Sequence, residues 1–332
     1  MLSMIRTQAD EERQRLLKEI EESLNKGSTV VFLLGNVDVG KTFLAKTLAN
    51  YFSARGYGVA VVDADIGQSD IGPPCSIGVG VLERPVRQLS DAKLAAIFFI
   101  GSTSPQRCER ECLMNIAAAV ERAKKLAQLV IVDSTGWVQG DAARRFKLAE
   151  IKSVMPDIIV AIQRDAELEP ILKELENDDE SERGDEQCAA MFGGCQAKPR
   201  IIRLTAPPEA KAKSKMRRAL FREESYNKYF SNGKTRTFSL SILGWLSRRG
   251  TILGLFRQDE CVGLGILERL DYDKGIVEVF TPVNGDVDWI KPGSTRLVNL
   301  GGRIKEYKLR RAVRARMKGG ENETARCTGE QA

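Results

Sequence analysis

Three groups of residues have the types and the spacing to do chemistry. The first is Gly35-Asn36-Val37-Asp38-Val39-Gly40-Lys41-Thr42, which fits G-x-x-x-x-G-K-[ST]. Gly35 and Gly40 let the backbone curl so that successive N–H groups point at phosphate oxygens. A helix starting near Lys41 adds the positive end of its dipole. Lys41 neutralises charge on β- and γ-phosphates, and Thr42 Oγ can hold Mg²⁺. The second group is acidic. The apolar run Val59–Val62 leads into Asp63-Ala64-Asp65-Ile66-Gly67-Gln68, and Leu129–Val132 leads into Asp133-Ser134-Thr135-Gly136-Trp137. Either run could supply an Asp that binds Mg²⁺ directly or through water. Strand alternation puts Asp63 and Asp65 on one side. Asp65 lies further toward the strand end and is the better base for an attacking hydroxyl, which leaves Asp63 and Asp133 to orient metal-bound water. The third group is Arg218 and Arg222, four residues apart and therefore on one helix face.

Other chemistries are excluded. The 332 residues include no histidine, so Ser-His-Asp and Cys-His nucleophilic machinery and His-ligated metal sites are ruled out. The seven cysteines are odd in number and form no CxxC, which reads as reduced thiols. No apolar run approaches a membrane span of about 18 residues, and the highly charged stretch Arg6–Glu22 is no signal peptide. The expectation is a cytoplasmic protein with no membrane partner.

The elements that must position these groups follow from the apolar pattern. Residues 8–25 read as an amphipathic helix with Leu16, Leu17, Ile20 and Leu24 on one side. Short strands are expected at Thr29–Leu34, Val59–Val62, Ala95–Ile100, Leu129–Val132, Ile158–Ile162 and Arg200–Leu204, with a helix around residues 107–127. Apolar strands alternating with helices predict a mostly parallel sheet covered on both faces. An acidic stretch, Glu174–Glu186, reads as a solvated helix end and loop. Lys211–Arg222 holds six basic residues and no acid, and Pro207-Pro208 would start a helix there. Beyond residue 235 the pattern becomes strands at Phe238–Leu243, Thr251–Arg257, Gly263–Leu270 and Gly275–Phe280, with a hairpin turn at Asp273-Lys274-Gly275. This β region is expected to end near Val298.

The expected architecture is therefore an α/β P-loop NTPase with a small C-terminal all-β domain, to which the resemblance set out below adds a helical lid. Its divisions are a charged helix at 1–27, the P-loop domain at 28–234 with the lid at about 208–230, the β domain at 235–311 and a disordered tail at 312–332. Lys and Arg number 51 against 45 Asp and Glu, a net charge of +6. The basic lid and the Arg303–Lys318 run favour a polyanionic partner through counterion release.

In this order the motifs resemble the polynucleotide 5′-hydroxyl kinases, a family that includes the RNA kinase of the eukaryotic pre-mRNA cleavage factor, a ribosomal-RNA-processing kinase and archaeal relatives. The resemblance rests on the phosphate loop with Asp38 inside it, Asp63–Gln68, Thr103-Ser104-Pro105-Gln106, Thr135-Gly136-Trp137, Arg218–Arg222 and Tyr229-Phe230. It continues through Gly263-Leu264-Gly265 and Phe280-Thr281-Pro282. It implies ATP as donor, with GTP as the alternative, Mg²⁺ as cofactor, and a nucleic acid with a 5′-hydroxyl end as acceptor, RNA favoured over DNA. It implies that the loop Gly35–Thr42 binds the phosphates and that Thr42 and Asp65 serve Mg²⁺. Asp65 also activates the hydroxyl, Gln68 lies beside the reacting centre, and Arg218 and Arg222 close over the phosphates. Thr103, Ser104, Pro105 and Gln106 clasp the acceptor, and Trp137 contacts a base, a stacking worth roughly 1–3 kcal/mol. Many eukaryotic relatives carry a sizeable β domain before the loop, whereas about 34 residues precede it here. Two other readings compete with kinase activity: a nucleotide-switched ATPase or GTPase that binds protein partners, and an inactive scaffold in RNA processing.

Overall fold

The computed structural model describes residues 8–177, 198–208, 210, 213–245, 247–301 and 303–307. Most of the acidic stretch after Asn177 and the expected disordered tail lie outside them.

The centre is built from five parallel strands: β1 (Thr29–Gly35), β2 (Val59–Asp63), β5 (Leu129–Asp133), β6 (Ile158–Gln163) and β7 (Arg200–Thr205). Their spatial order is β2-β5-β1-β6-β7. Residues Thr29–Gly35 read TVVFLLG and are buried throughout, because helices cover both faces. Val30, Phe32 and Leu34 pack with α3 (Glu109–Lys124), α4 (Asp141–Val154) and α5 (Glu169–Asn177). Val31 and Leu33 pack on the other face with α1 (Gln8–Leu24) and α2 (Lys41–Ser53). This is the strand period of two expressed as two cores. The N-terminal helix therefore belongs to the packed body: Leu16 and Ile20 are fully buried, and Glu19 pairs with Arg200 of β7.

Two strands continue the sheet beyond β2, each antiparallel to the one before it. β3 (Ser76–Leu82) runs against the central strands, and β4 (Lys93–Phe99), expected among the parallel strands, runs in their direction but pairs only with antiparallel neighbours. The sequence reading missed β3 because SIGVGVL is interrupted by glycine. The reason for glycine is steric: a β-carbon on Gly78 would stand 1.9 Å from the carbonyl oxygen of Ile71. The loop after β2 lies directly on this strand.

The helix expected as a lid, α6, is Lys215–Tyr229. It begins later than the Pro207-Pro208 reading placed it. Its N-cap is Ser214, whose side chain accepts a hydrogen bond from the Arg217 amide, the usual role of serine at that position.

The C-terminal strands are β8 (Lys234–Ser239), β9 (Thr251–Arg257), β10 (Glu260–Asp271), β11 (Ile276–Thr281), β12 (Trp289–Leu300) and β13 (Arg303–Glu306). The first of these ends at Ser239, and Leu240–Ile242 turns as a short 3₁₀ segment where the sequence predicted continued strand. Strand pairing extends past Val298 to Glu306. The hairpin between β10 and β11 stands where the Asp273–Gly275 turn placed it. β10 also pairs with β4 through Cys261 and Ile97, so one strand path runs from β13 to β7. No described helix is long and apolar enough to cross a membrane.

Candidate active site

Parallel strands deliver their carboxyl ends to one edge of the sheet, where open α/β folds bind ligands. The phosphate loop follows β1, Asp63 ends β2, Asp133 ends β5, and Arg164 follows β6. In register, Asp133 sits beside both Leu33 and Asp63. A cavity of about 330 Å³ opens here, and its walls include Val37, Asp38, Gly40, Lys41 and Thr42. Asp65, Gln68, Asp70 and Asp133 also line it, with Arg218 from the helix expected as a lid.

Lys41 is 7 % exposed. Its ammonium donates to the carbonyls of Gly35 at 3.0 Å and Asn36 at 2.8 Å. Burial lowers its pKa, and the negative charges of Asp133 and Asp65 oppose that shift. The hydroxyl of Thr42 donates to Asp133 Oδ2 at 2.6 Å. The other oxygen, Asp133 Oδ1, is buried with no hydrogen-bond partner. Burial pushes the Asp133 carboxyl up to about 6, against the pull of Lys41 and the Thr42 hydrogen bond.

The two acids after β2 have different tasks. Asp63 was expected beside Asp65 as a holder of metal-bound water. Instead β2 ends at Asp63, strand alternation stops there, and its carboxylate organises the following loop. Oδ1 accepts from the Asp65 amide, and Oδ2 accepts from the amides of Asp70 and Ile71 and from the Ser69 hydroxyl. Burial, with Asp133 and Asp70 nearby, raises the Asp63 pKa. Asp65 lines the cavity itself. Its Oδ1 accepts from the amides of Gly67 and Gln68, while among the described residues no donor reaches Oδ2.

The lid arginines also separate. Arg218 lines the cavity and donates to Asp38 Oδ2 at 3.2 Å. Arg222 stands outside it, where its guanidinium grips Glu306 of β13 through two hydrogen bonds at 2.6 and 2.9 Å. Both arginines were expected to close over the phosphates; here Arg222 is held by Glu306, because the C-terminal half of α6 leans on the β strands. Tyr226 and Phe230 are buried there, and Tyr229 accepts from the Leu264 amide.

Gln68 donates to the Arg218 carbonyl at 3.2 Å, joining the loop after β2 to the lid. That loop also touches the clasp segment: a β-carbon on Gly67 would lie 2.8 Å from the Thr103 carbonyl oxygen. Ser104 precedes a 3₁₀ turn over Pro105–Arg107, in which Pro105 is buried and Gln106 exposed. Trp137 is half-buried, with its ring 5.4 Å from that of Phe146. Gly136, just before it, presses on Val37 of the phosphate loop. The structure thus brings the phosphate loop, Asp65, Gln68 and Arg218 to one cavity, with Thr103 and Gly136-Trp137 adjoining.

Two residues escaped the sequence reading. Arg164 donates to the Asp38 carbonyl at 3.0 Å and to the Ala210 carbonyl at 2.5 Å. The Lys213 amide donates to Asp38 Oδ2 at 2.7 Å. Asp38, at φ +57°, is therefore the point where the phosphate loop meets the lid. The only sequence signal for Arg164 was its place just past a strand end.

The donor set also fits a divalent cation. Thr42, Asp65 and Asp133 line one cavity, and Asp133 Oδ1 is buried without a hydrogen-bond partner. Among the described residues no cluster of three or more acidic or cysteine ligands could hold a metal unaided. Mg²⁺ needs no such cage, since it uses one or two carboxylates and completes its shell with phosphates and water.

A phosphate loop on β1, acids at the ends of neighbouring parallel strands and a basic lid define a P-loop phosphoryl-transfer protein. Residues 35–184 match the family model described as the P-loop of the mRNA cleavage and polyadenylation factor CLP1. It is similar to the polyribonucleotide 5′-hydroxyl-kinase of Pyrococcus abyssi, 29 % identical over 82 % of this chain and 88 % of the relative. The kinase of the same name in Methanocaldococcus jannaschii is 28 % identical over 84 % of this chain and 88 % of the relative. That of Pyrococcus furiosus is 33 % identical over 69 % of this chain and 58 % of the relative. The fold is shared with Clp1p in its complex with Pcf11p, at a TM-score of 0.61 and 12 % identity over 85 % of this chain and 79 % of that one.

Proposed function

We propose that this chain is an ATP-dependent polynucleotide 5′-hydroxyl kinase that phosphorylates RNA. The observation that carries the reading is the cavity itself, where Lys41 and Thr42 face Asp65 and Asp133 beneath Arg218. The names of the archaeal relatives supply the acceptor class.

In this reading the loop amides of Gly35–Gly40 and the Lys41 ammonium hold the β- and γ-phosphates. Lys41 exchanges its bonds to Gly35 and Asn36 for phosphate oxygens. Thr42, Asp65 and Asp133 would hold Mg²⁺, which when bound neutralises charge developing on the phosphates. Asp65 accepts the proton of the 5′-hydroxyl as its oxygen attacks the γ-phosphorus. The bond from that phosphorus to the β-bridging oxygen breaks, and ADP leaves. Two backbone amides fix the carboxylate on one side, so Oδ2 is presented to the acceptor with little freedom. Arg218 stabilises the charge spread over the γ-oxygens. Thr103–Gln106 and Trp137 hold the acceptor strand, and Gln68 links its position to the lid.

The test is transfer of labelled γ-phosphate from ATP to matched RNA and DNA strands with 5′-hydroxyl ends, beside a strand with a blocked end. Label on the 5′-hydroxyl RNA alone, or on RNA before DNA, is the expected result. Phosphate release that ignores the strands would overturn the reading in favour of a nucleotide-switched ATPase.

A further inference from the structure

Lys147 and Glu150 are a charged pair with no assigned task. Both lie on the inner face of α4, at 0 % and 2 % exposure, and the ammonium meets the carboxylate at 2.6 Å. A buried ion pair is a poor source of stability, since desolvation offsets the attraction and apolar residues of similar size often serve as well. What distinguishes this pair is where the remaining two donors go. Lys147 Nζ donates to Ser134 Oγ at 3.2 Å and to Thr135 Oγ1 at 3.1 Å. With Glu150 these use all three donors of the ammonium. Ser134 in turn donates to the Leu33 carbonyl at 2.7 Å, on the strand that feeds the phosphate loop.

One buried cation therefore clamps two consecutive hydroxyls. Immediately before them is Asp133, bonded to Thr42. Immediately after them is Gly136, packed on Val37, and then Trp137. We infer that Lys147 and Glu150 are positioning residues for phosphoryl transfer, holding Ser134–Trp137 so that Asp133 and the phosphate loop keep their mutual geometry. Lys147 touches neither substrate nor reacting atoms. It acts through Thr135 and Ser134, and Glu150 keeps it aimed. The inference rests on the kinase reading above.

The experiment is the double substitution Lys147→Met/Glu150→Met, which keeps volume and removes both charges. The expected protein folds, melts no lower than the wild type and binds ATP within about threefold of it, while kcat for transfer falls about 10- to 100-fold, the range a misplacement of about 1 Å produces. Hydrogen exchange at the amides of residues 134–137 should accelerate in the same protein. Should the double variant not fold, Thr135→Val leaves the pair intact and removes one clamped hydroxyl, with the same split between kcat and ATP affinity expected. Wild-type kcat in the folded variant, or losses in kcat and ATP affinity that match, would overturn the inference. A wild-type chain that phosphorylates no 5′-hydroxyl strand would instead sink the kinase reading, and the exchange rates would still decide whether the pair holds the segment.

Discussion

Gly136 is glycine because of space. Its φ is not among the positive values, so an alanine could adopt the same backbone. A β-carbon there would stand 2.5 Å from Val37 Cγ1, 2.6 Å from the Val37 amide nitrogen and 2.7 Å from Val37 Cα. Ordinary contact begins at about 3.4 Å, so the two segments must part by roughly 0.7–0.9 Å. The nearest atoms include backbone, which cannot rotate out of the way. Overpacking of this kind costs about 1–3 kcal/mol, or roughly 1–2 °C of melting temperature for each kcal/mol in a protein of this size. The larger effect falls on the phosphate loop, because the displaced group is a loop amide. Gly136→Ala is expected to weaken ATP binding and to lower transfer about 10- to 100-fold, beyond what the lost stability explains. Gly58→Ala serves as the control. There the nearest atoms to an added β-carbon are 3.6 and 3.7 Å away, and wild-type behaviour is expected. Calorimetric ATP binding and single-turnover transfer, measured well below the melting point, read both effects. Wild-type affinity and rate in Gly136→Ala would refute the steric argument.

Further substitutions separate the proposed roles. Asp65→Asn should retain ATP binding in equilibrium measurements and lose transfer by orders of magnitude; full activity would remove Asp65 from the base role. Arg218→Ala should lower the rate by about 10³ or more with an unchanged melting curve, whereas Arg222→Ala should cost about 1.5–3 kcal/mol of stability by leaving the part-buried Glu306 without its partner. Denaturant titration compares the two, and an Arg222→Ala protein of normal stability but low kcat would return Arg222 to the phosphates. Cys75 is buried against the Tyr226 hydroxyl at 3.1 Å and Thr295 at 3.3 Å, and burial pushes its thiol up to about 12. Iodoacetamide at pH 9 should therefore spare Cys75 until the chain is unfolded, as mass spectrometry would show. Since the unfolded thiol loses its proton first, stability should fall as pH rises from about 9 toward 12.

The parts of this site that could be read from sequence were those whose cause is local. A parallel strand buried on both faces needs a continuous apolar run, so β1, β2 and β5 were visible, and with them the loop and the acids at their ends. Asp63 and Asp65 could not be told apart, because their difference lies in which backbone amides curl onto Asp63 Oδ2 seven and eight residues later. The Arg222 pairing was hidden for a similar reason. Its spacing from Arg218 is right for a shared face, but its partner is 84 residues away. β3 was hidden because its glycines, which break the apolar pattern, are there to admit the Ile71 loop.

The mooring of the lid also sets an order in time. Arg222 waits for Glu306, and the Asn227 side chain pairs with the backbone of Ile304. A ribosome adding about 5–20 residues per second delivers the phosphate loop and all five parallel strands first, and the far end of the lid's attachment several seconds later. The phosphate loop is thus made before the mooring exists, and ribosome-stalled chains ending before Arg303 should be cut by protease in α6 more readily than finished chains.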